Sequence, residues 1–385
     1  MAARAMFSID GSLMEGGGQV VRITSALSAL LSINIQISKI RGGRSKPGLA
    51  AQHSAGLHLV NAICCGQLLG ADIGSQEITL QPSQLSPSPE HFADAKTAGA
   101  CMLLLQSSLP CCALQPFHTH PLPPLTKLAL QGGTNVPFSP QVDYTQHIAL
   151  PMFAKLCGVK AKLRLVRRGF FPRGGGRVEV EVERGTRITP FELLERGEIV
   201  RIYGVAYSCG RVPPHVLQRI CSAAEERLRA ERPLASLPID ITQEAGGESG
   251  GDGCGIVLWA ETAGGCRLGG SGLGEKKVKA EEVGARAAEK LIRELSHGGS
   301  VDQHLTDQLI IFMGLADGVS SLRAGPLTLH TQTAIRWVSE LSGASFKVVE
   351  EGGGEGGGTC VITCTGIRFG VVPFVAQTQP EAAKA

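Results

Sequence analysis

Apolar and polar positions along the chain change period several times, and each change predicts an element. After an apolar start at 6–9, QVVRITSALSALLS places Val20, Val21, Ile23, Leu27, Leu30 and Leu31 near helical spacing. INIQISKI (33–40) alternates with period two and predicts a strand. RGGRSKPG breaks it, and LAAQHSAGLHLVNAICC predicts a second helix. The signals then return. KLALQGGTN (127–135) predicts a strand ending in Gly-Gly, VDYTQHIALPMFAKLCG a helix closing on glycine, and AKLRLVRRGFFPRGGGRVEVEVE (161–183) two strands around a loop. A third round starts near 275 with the helix KAEEVGARAAEKLIREL. DQHLTDQLIIFMGLADG, a strand and helix across 326–342, and a hairpin over 345–367 follow.

This recurrence predicts three related units, at about 5–85, 90–185 and 275–370, each pairing two helices with a small sheet. Between the second and third lies a compact insert. GEIVRIYGVAYS, PIDITQEA and GIVLWAETAGG predict its strands and PPHVLQRICSAAEERLRAE its one dominant helix. The fold class expected is α+β: three repeated units of two helices on a four-stranded sheet forming a large domain, plus a small α+β insert domain. The first two units occupy 1–185, the insert 186–275, the third unit 276–370, and a flexible tail 371–385. EEGGGEGGGTC (350–360) reads as a long hairpin turn rather than a linker.

Composition narrows the class. At 385 residues and 43 % hydrophobic, the chain can bury a large core. No apolar run reaches the ~18 residues of a membrane helix, and the start, MAARAMFSID, has no leader-like apolar stretch. A soluble intracellular protein is expected. Twelve cysteines, two adjacent pairs among them and no CxxC, suggest buried small hydrophobes rather than zinc or disulfides. A net charge of only +3 excludes a global basic field. Local clusters in KIRGGRSKPG (39–48) and RLVRRGFFPRGGGR (164–177) point to phosphate instead.

Four constellations could carry chemistry. IDGSLMEGGGQVVR (9–22) lacks the Lys-Ser/Thr ending of a P-loop and offers Glu15 before Gly16–Gly18 and a helix start. Glycines let backbone N–H groups approach an anion, and a carboxylate beside phosphates is useful when it binds their divalent metal. Arg41, Arg44 and Lys46 on a glycine-rich turn can clamp phosphate, with Gln52 and His53 following. PLTLH running into a helix puts His330 at the end of a strand and beside a helix N-terminus, where a neutral imidazole can act as a nucleophile toward phosphorus. His304, Asp307 and Gln308 share a helix face that can contact a base and ribose, or be polar surface. HTHP (118–121) reads as a loop.

In combination and in this order, DGSLMEGGGQVVR, IRGGRSKPGLAAQH, GGTNVPFSPQVDY, RGFFPRGGGRVEV, DQHLTDQLI and LTLHTQTAI resemble the RNA 3′-terminal phosphate cyclases over about residues 6–370. The resemblance implies a large domain of three repeats, each like the C-terminal domain of a bacterial translation initiation factor, and a smaller insert. It implies ATP-dependent conversion of an RNA 3′-phosphate into a 2′,3′-cyclic phosphate through histidine–AMP and RNA-adenylate intermediates. His330 then matches the adenylylated histidine. Glu15 matches a carboxylate beside the nucleotide's metal (Mg or Mn) and phosphates. Gln106, Pro140, Asp307 and Gln308 match ATP contacts, and His304 stands where some members stack a tyrosine on adenine. Arg41, Arg44 and Gln52, with Arg22, match residues holding the RNA phosphate end. The implied partner is RNA with a 3′-phosphate, with no membrane; eukaryotic members imply a nuclear (nucleoplasmic) location, with the cytoplasm also open. The rival is a cyclase-like ribosome biogenesis factor that binds pre-rRNA and lacks the nucleophilic histidine; His330 discriminates against it. An RNA-end-binding module without turnover would need neither His330 nor Glu15. Enolpyruvyl-transfer enzymes, built from similar units, need no nucleophilic histidine.

Overall fold

The computed structural model describes residues 5–86, 88–114, 123–352 and 358–371. HTHP, the centre of the 350–360 glycine turn and nearly all of the expected tail lie outside them. The first unit runs β1 (Met6–Asp10), α1 (Gly18–Leu31), β2 (Asn34–Ser38), α2 (Ala51–Ile63), β3 (Gln67–Leu69) and β4 (Ile78–Gln81). Its sheet has the order β1-β2-β4-β3, parallel between β1 and β2 and antiparallel elsewhere. Val20, Val21, Leu27, Leu30 and Leu31 of α1 are buried as their spacing predicts, each contributing about 1.5–3 kcal/mol.

The second unit repeats this: β5 (Glu90–Asp94), α3 (Cys101–Ala113), β6 (Leu125–Gly132), α4 (Val142–Tyr144), α5 (Leu150–Cys157), β7 (Ala161–Arg167) and β8 (Gly176–Glu183). A π-helical segment, Thr145–Ala149, joins α4 to α5. The order is β5-β6-β8-β7.

The third unit is split in sequence. Its first strand is β9 (Glu192–Leu193). The chain then leaves for β10 (Ile199–Cys209), α6 (His215–Arg229), β11 (Ile239–Ala245), β12 (Gly253–Thr262), β13 (Arg267–Leu273) and α7 (Ala280–Ser296). It returns as α8 (Gln303–Leu315), β14 (Val319–Ala324), α9 (Leu329–Ser342), β15 (Ser345–Glu351) and β16 (Thr359–Thr365). Leu193 pairs with Leu322 in a parallel β9–β14 ladder. Read from β9, the order β9-β14-β16-β15 is that of the first two units.

Two expectations change here. The 186–275 insert would include β9, but β9 belongs to the third sheet. The helix expected to open the third unit after 275 is α7, and it packs on α6, β12 and β13 of the insert sheet, whose order is β11-β10-β12-β13. The insert thus has two helices on its sheet. The reason is visible in β13, where Gly270 and Gly272 bring α7 against the strand. A Cβ on Gly270 would lie 2.5 Å from the Ala287 carbonyl oxygen.

Helix α1 packs against α2, α3 and α9, and α8 against α9, so helices of all three units meet around α1. One continuous apolar core spans the units and the insert. All twelve cysteines are unpaired, and all but Cys65 and Cys254 are buried. Among the described residues, no helix is long and apolar enough to cross a membrane.

Candidate active site

His330 sits where the N-terminus of α9 meets that of α1, but not on a strand. The strand is 319–324, and residues 325–328 form the turn. Thr328 is the N-cap: its hydroxyl accepts from Thr331 N at 3.1 Å. His330 is therefore the second residue of α9 and remains exposed.

Its orientation comes from a residue that the sequence did not flag. Gln19, in the first turn of α1 and buried, donates from Nε2 to Asp307 Oδ2 at 2.9 Å. Its Oε1 lies 2.9 Å from His330 Nδ1. When Asp307 is ionised its carboxylate accepts, so the amide turns its NH2 toward Asp307 and its carbonyl toward His330. Nδ1 must then carry the proton, which leaves the lone pair on Nε2. Partial desolvation of the ring where α9 meets α1 lowers the His330 pKa below its ordinary value. Arg22, His304 and Arg44 push the same way, against Glu15. The ring is neutral at neutral pH. Asp307 is pushed up to about 7, chiefly by burial, with Arg22 opposing.

Glu15 faces this histidine from the glycine loop. Its backbone N–H donates to Thr333 Oγ1 at 3.1 Å, tying the loop to α9. Its Oε1 pairs with Arg44, while Oε2 is buried without a partner among the described residues. The glycines are needed for close approach: a Cβ on Gly17 would fall 2.3 Å from the Glu15 carboxylate, and one on Gly18 2.2 Å from His53 Nε2. His53 is buried and neutral, its pKa held at about 3 by burial and then by Arg22 and Arg41. Its Nδ1 accepts from Ala50 N at 3.0 Å.

The remaining candidates divide. Gln106, Arg22, Asp307 and Gln308 line one cavity with Gln19, floored by Leu105, Phe153 and Phe312. Arg22 shares a small adjoining cavity with Gln52 and His53. His304 is exposed, edge-on to Tyr144 with ring centroids 6.1 Å apart. Tyr144 donates to Asp302 Oδ1 at 2.6 Å, and Asp302 caps α8. Pro140 stands in the loop before α4 and is not part of the cavity wall. Arg41 and Gln52 are engaged in backbone contacts: Arg41 Nη1 donates to Gly48 O at 2.8 Å, and Gln52 Oε1 accepts from Ala100 N at 3.0 Å. Arg168, in the second basic cluster, is buried against Asp143 and serves structure rather than a ligand.

No group of three or more His, Cys, Asp or Glu that could hold a metal ion occurs among the described residues. The unpartnered Glu15 Oε2 does fit a divalent cation whose other ligands are phosphate oxygens and water.

These features define a class: an α+β protein of three like units that brings a neutral histidine, a carboxylate and arginines together where the N-termini of α1 and α9 meet, beside a cavity lined by Arg22, Gln106, Asp307 and Gln308. The family described as RNA 3′-terminal phosphate cyclase matches residues 13–348. The chain is 38 % identical over 369 residues to a Dictyostelium discoideum protein named "Probable RNA 3′-terminal phosphate cyclase", covering 94 % of this chain and 83 % of that one. It is 35 % identical to the RNA 3′-terminal phosphate cyclase of Pyrobaculum aerophilum (90 % and 95 % covered) and 33 % identical to that of Drosophila melanogaster (95 % and 98 %). The chain belongs to the RNA 3′-terminal phosphate cyclase family and, with it, to the RNA cyclase enzymes.

Proposed function

We propose that the chain converts an RNA 3′-phosphate to a 2′,3′-cyclic phosphate with ATP, through AMP carried on His330. One observation supports this above all: the Asp307–Gln19–His330 relay, which leaves Nε2 with its lone pair and without a protein partner among the described residues. Nε2 attacks the α-phosphorus of ATP. The N–P bond forms, the bond to the bridging oxygen breaks, and pyrophosphate leaves with the electron pair. An RNA 3′-phosphate oxygen then attacks the same phosphorus and releases Nε2. Finally the neighbouring 2′-hydroxyl attacks the activated 3′-phosphate, losing its proton as AMP leaves. Adenylylation turns a poor leaving oxygen into AMP, and the vicinal hydroxyl reacts with the advantage of proximity.

Arg22 and Arg44 offset phosphate charge beside the histidine. Gln106, Asp307 and Gln308 bind the nucleoside in their cavity. Glu15 Oε2 would hold the divalent cation, which when bound neutralises phosphate charge. Pro140 and His304 are proposed to flank the adenine, and Arg41 and Gln52 to border the RNA end.

The test uses ATP labelled at its α-phosphorus, with a divalent metal and no RNA. The expected outcome is a labelled, acid-labile protein band that is absent in His330→Ala. A folded, unlabelled wild-type protein would overturn the reading.

A further inference from the structure

Two large aromatic rings stand in solvent on adjoining loops: Phe138 at 102 % relative exposure and Phe171 at 69 %. Neither has a part in the chemistry above. One exposed ring would be unremarkable, but these two are held out. Phe138 has a φ of +61°, a left-handed conformation that a bulky residue rarely adopts and that tends to persist where function requires it. The loops are braced to each other: Thr134 N and Asn135 N both donate to Gly169 O, at 2.9 and 3.1 Å. Behind them Arg168 is fixed to Asp143, and its backbone bonds to Glu248 O and Gly250 N in the insert. The loops are therefore tied in place with both rings outward.

This surface is continuous with the phosphate end of the site. Gly133 N donates to Gly99 O at 2.8 Å. The Phe171 loop touches the same segment, since a Cβ on Gly174 would lie 2.3 Å from Thr97 O. Ala100 N in turn donates to Gln52, at the cavity shared with Arg22. Lys96 and Arg173 flank the path; both are exposed, and Arg173 lies within the field of Asp252 without a close salt bridge to it.

We propose that Phe171 and Phe138 form a stacking platform for the bases just upstream of the RNA 3′ end, with Arg173 and Lys96 against their phosphates. The proposal rests on the function above and adds the path of the strand. Aromatic faces interleaved with cations fit single-stranded RNA. In a duplex the base faces are already stacked. Such a platform is tolerant of sequence, because every base has a π-face.

The test is fluorescence anisotropy with a 3′-phosphorylated single-stranded RNA of about eight nucleotides, several times the one or two bases the platform would seat. Phe171→Ala and Phe138→Ala are each expected to raise Kd roughly five-fold or more, and the double variant further. Phe171→Tyr should restore binding and Phe171→Leu should not. Phe92→Ala, another exposed ring, on β5, is expected to leave Kd unchanged. Unchanged binding in the double variant, or rescue by leucine as full as by tyrosine, would overturn the platform. Labelling of His330 without RNA separates the two levels. A labelled protein whose RNA affinity ignores Phe138 and Phe171 sinks the platform alone, whereas an unlabelled wild-type protein sinks the function on which it rests.

Discussion

At the scale of the residue, the site turns on Gln19. A side chain 311 positions from His330 sets which imidazole nitrogen carries the proton. Gln19→Ala removes the acceptor for Nδ1, so the ring can take the unproductive tautomer. The rate of self-adenylylation is expected to fall roughly 10–100-fold, the usual cost of losing an orienting partner. Gln19→Glu restores an acceptor but adds negative charge, which favours the imidazolium. Its activity should recover at high pH, with the acid limb of the pH–rate profile moved upward from that of wild type. A purely structural role for Gln19 would move neither limb. Asp307 offers a second residue-scale prediction. Its pKa is raised to about 7 in the folded chain, from the ordinary 3.8. The native state therefore binds more protons than the unfolded state between about pH 4 and 7, and stability falls as pH rises through that window. Asp307→Asn should stabilise the ligand-free protein by about 2 kcal/mol at pH 8 and by little at pH 4, as read from denaturation midpoints.

At the scale of the element, legibility depended on whether the element buries one face with a sustained period. Helix α1 and strand β2 declare themselves by period, because each buries one face. PLTLH alternates like a strand, yet the Thr328 cap, a contact between residues three apart, turns it into the first turn of a helix. Glu15, Asp307 and His330 were legible from residue type and resemblance. Gln19 was not, because a glutamine in a first helical turn carries no signal of what lies across the fold. Strand β9 has two residues and no period to read. In β13, RLGGSGL offers no strand period to read, because its glycines serve α7 rather than the strand. Gly270→Ala puts a methyl group 2.5 Å from the Leu291 backbone nitrogen as well as the Ala287 oxygen. It should therefore push α7 off the sheet and destabilise the fold by roughly 1–3 kcal/mol in thermal denaturation.

At the scale of the whole molecule, the question is what keeps an inserted layer in register with a three-unit core. Arg168 is the main polar joint. From the loop after β7 it meets the Asp143 carboxylate with two bonds, Nη1–Oδ2 at 2.8 Å and Nη2–Oδ1 at 2.7 Å, and Glu244 of β11 at 2.7 Å. Its guanidinium lies 4.1 Å from the ring centroid of Tyr207 on β10. Arg168 and Asp143 are both buried. Removing Asp143 leaves the buried guanidinium with only the half-exposed Glu244 as counter-charge, so Asp143→Ala should cost about 2–3 kcal/mol, below the ~3–5 kcal/mol of a buried charge left wholly unpaired. Replacing both, as Arg168→Met with Asp143→Leu, should cost clearly less than the sum of the single changes, because no buried charge is left unpaired. A double-mutant cycle in chemical denaturation reads this directly. The double variant should stay folded and still label His330, which lies outside the joint. Its RNA affinity should fall with that of Phe138→Ala and Phe171→Ala, because the joint holds the loops that carry those rings. Labelling would then be separated from RNA retention by a change that touches neither ring.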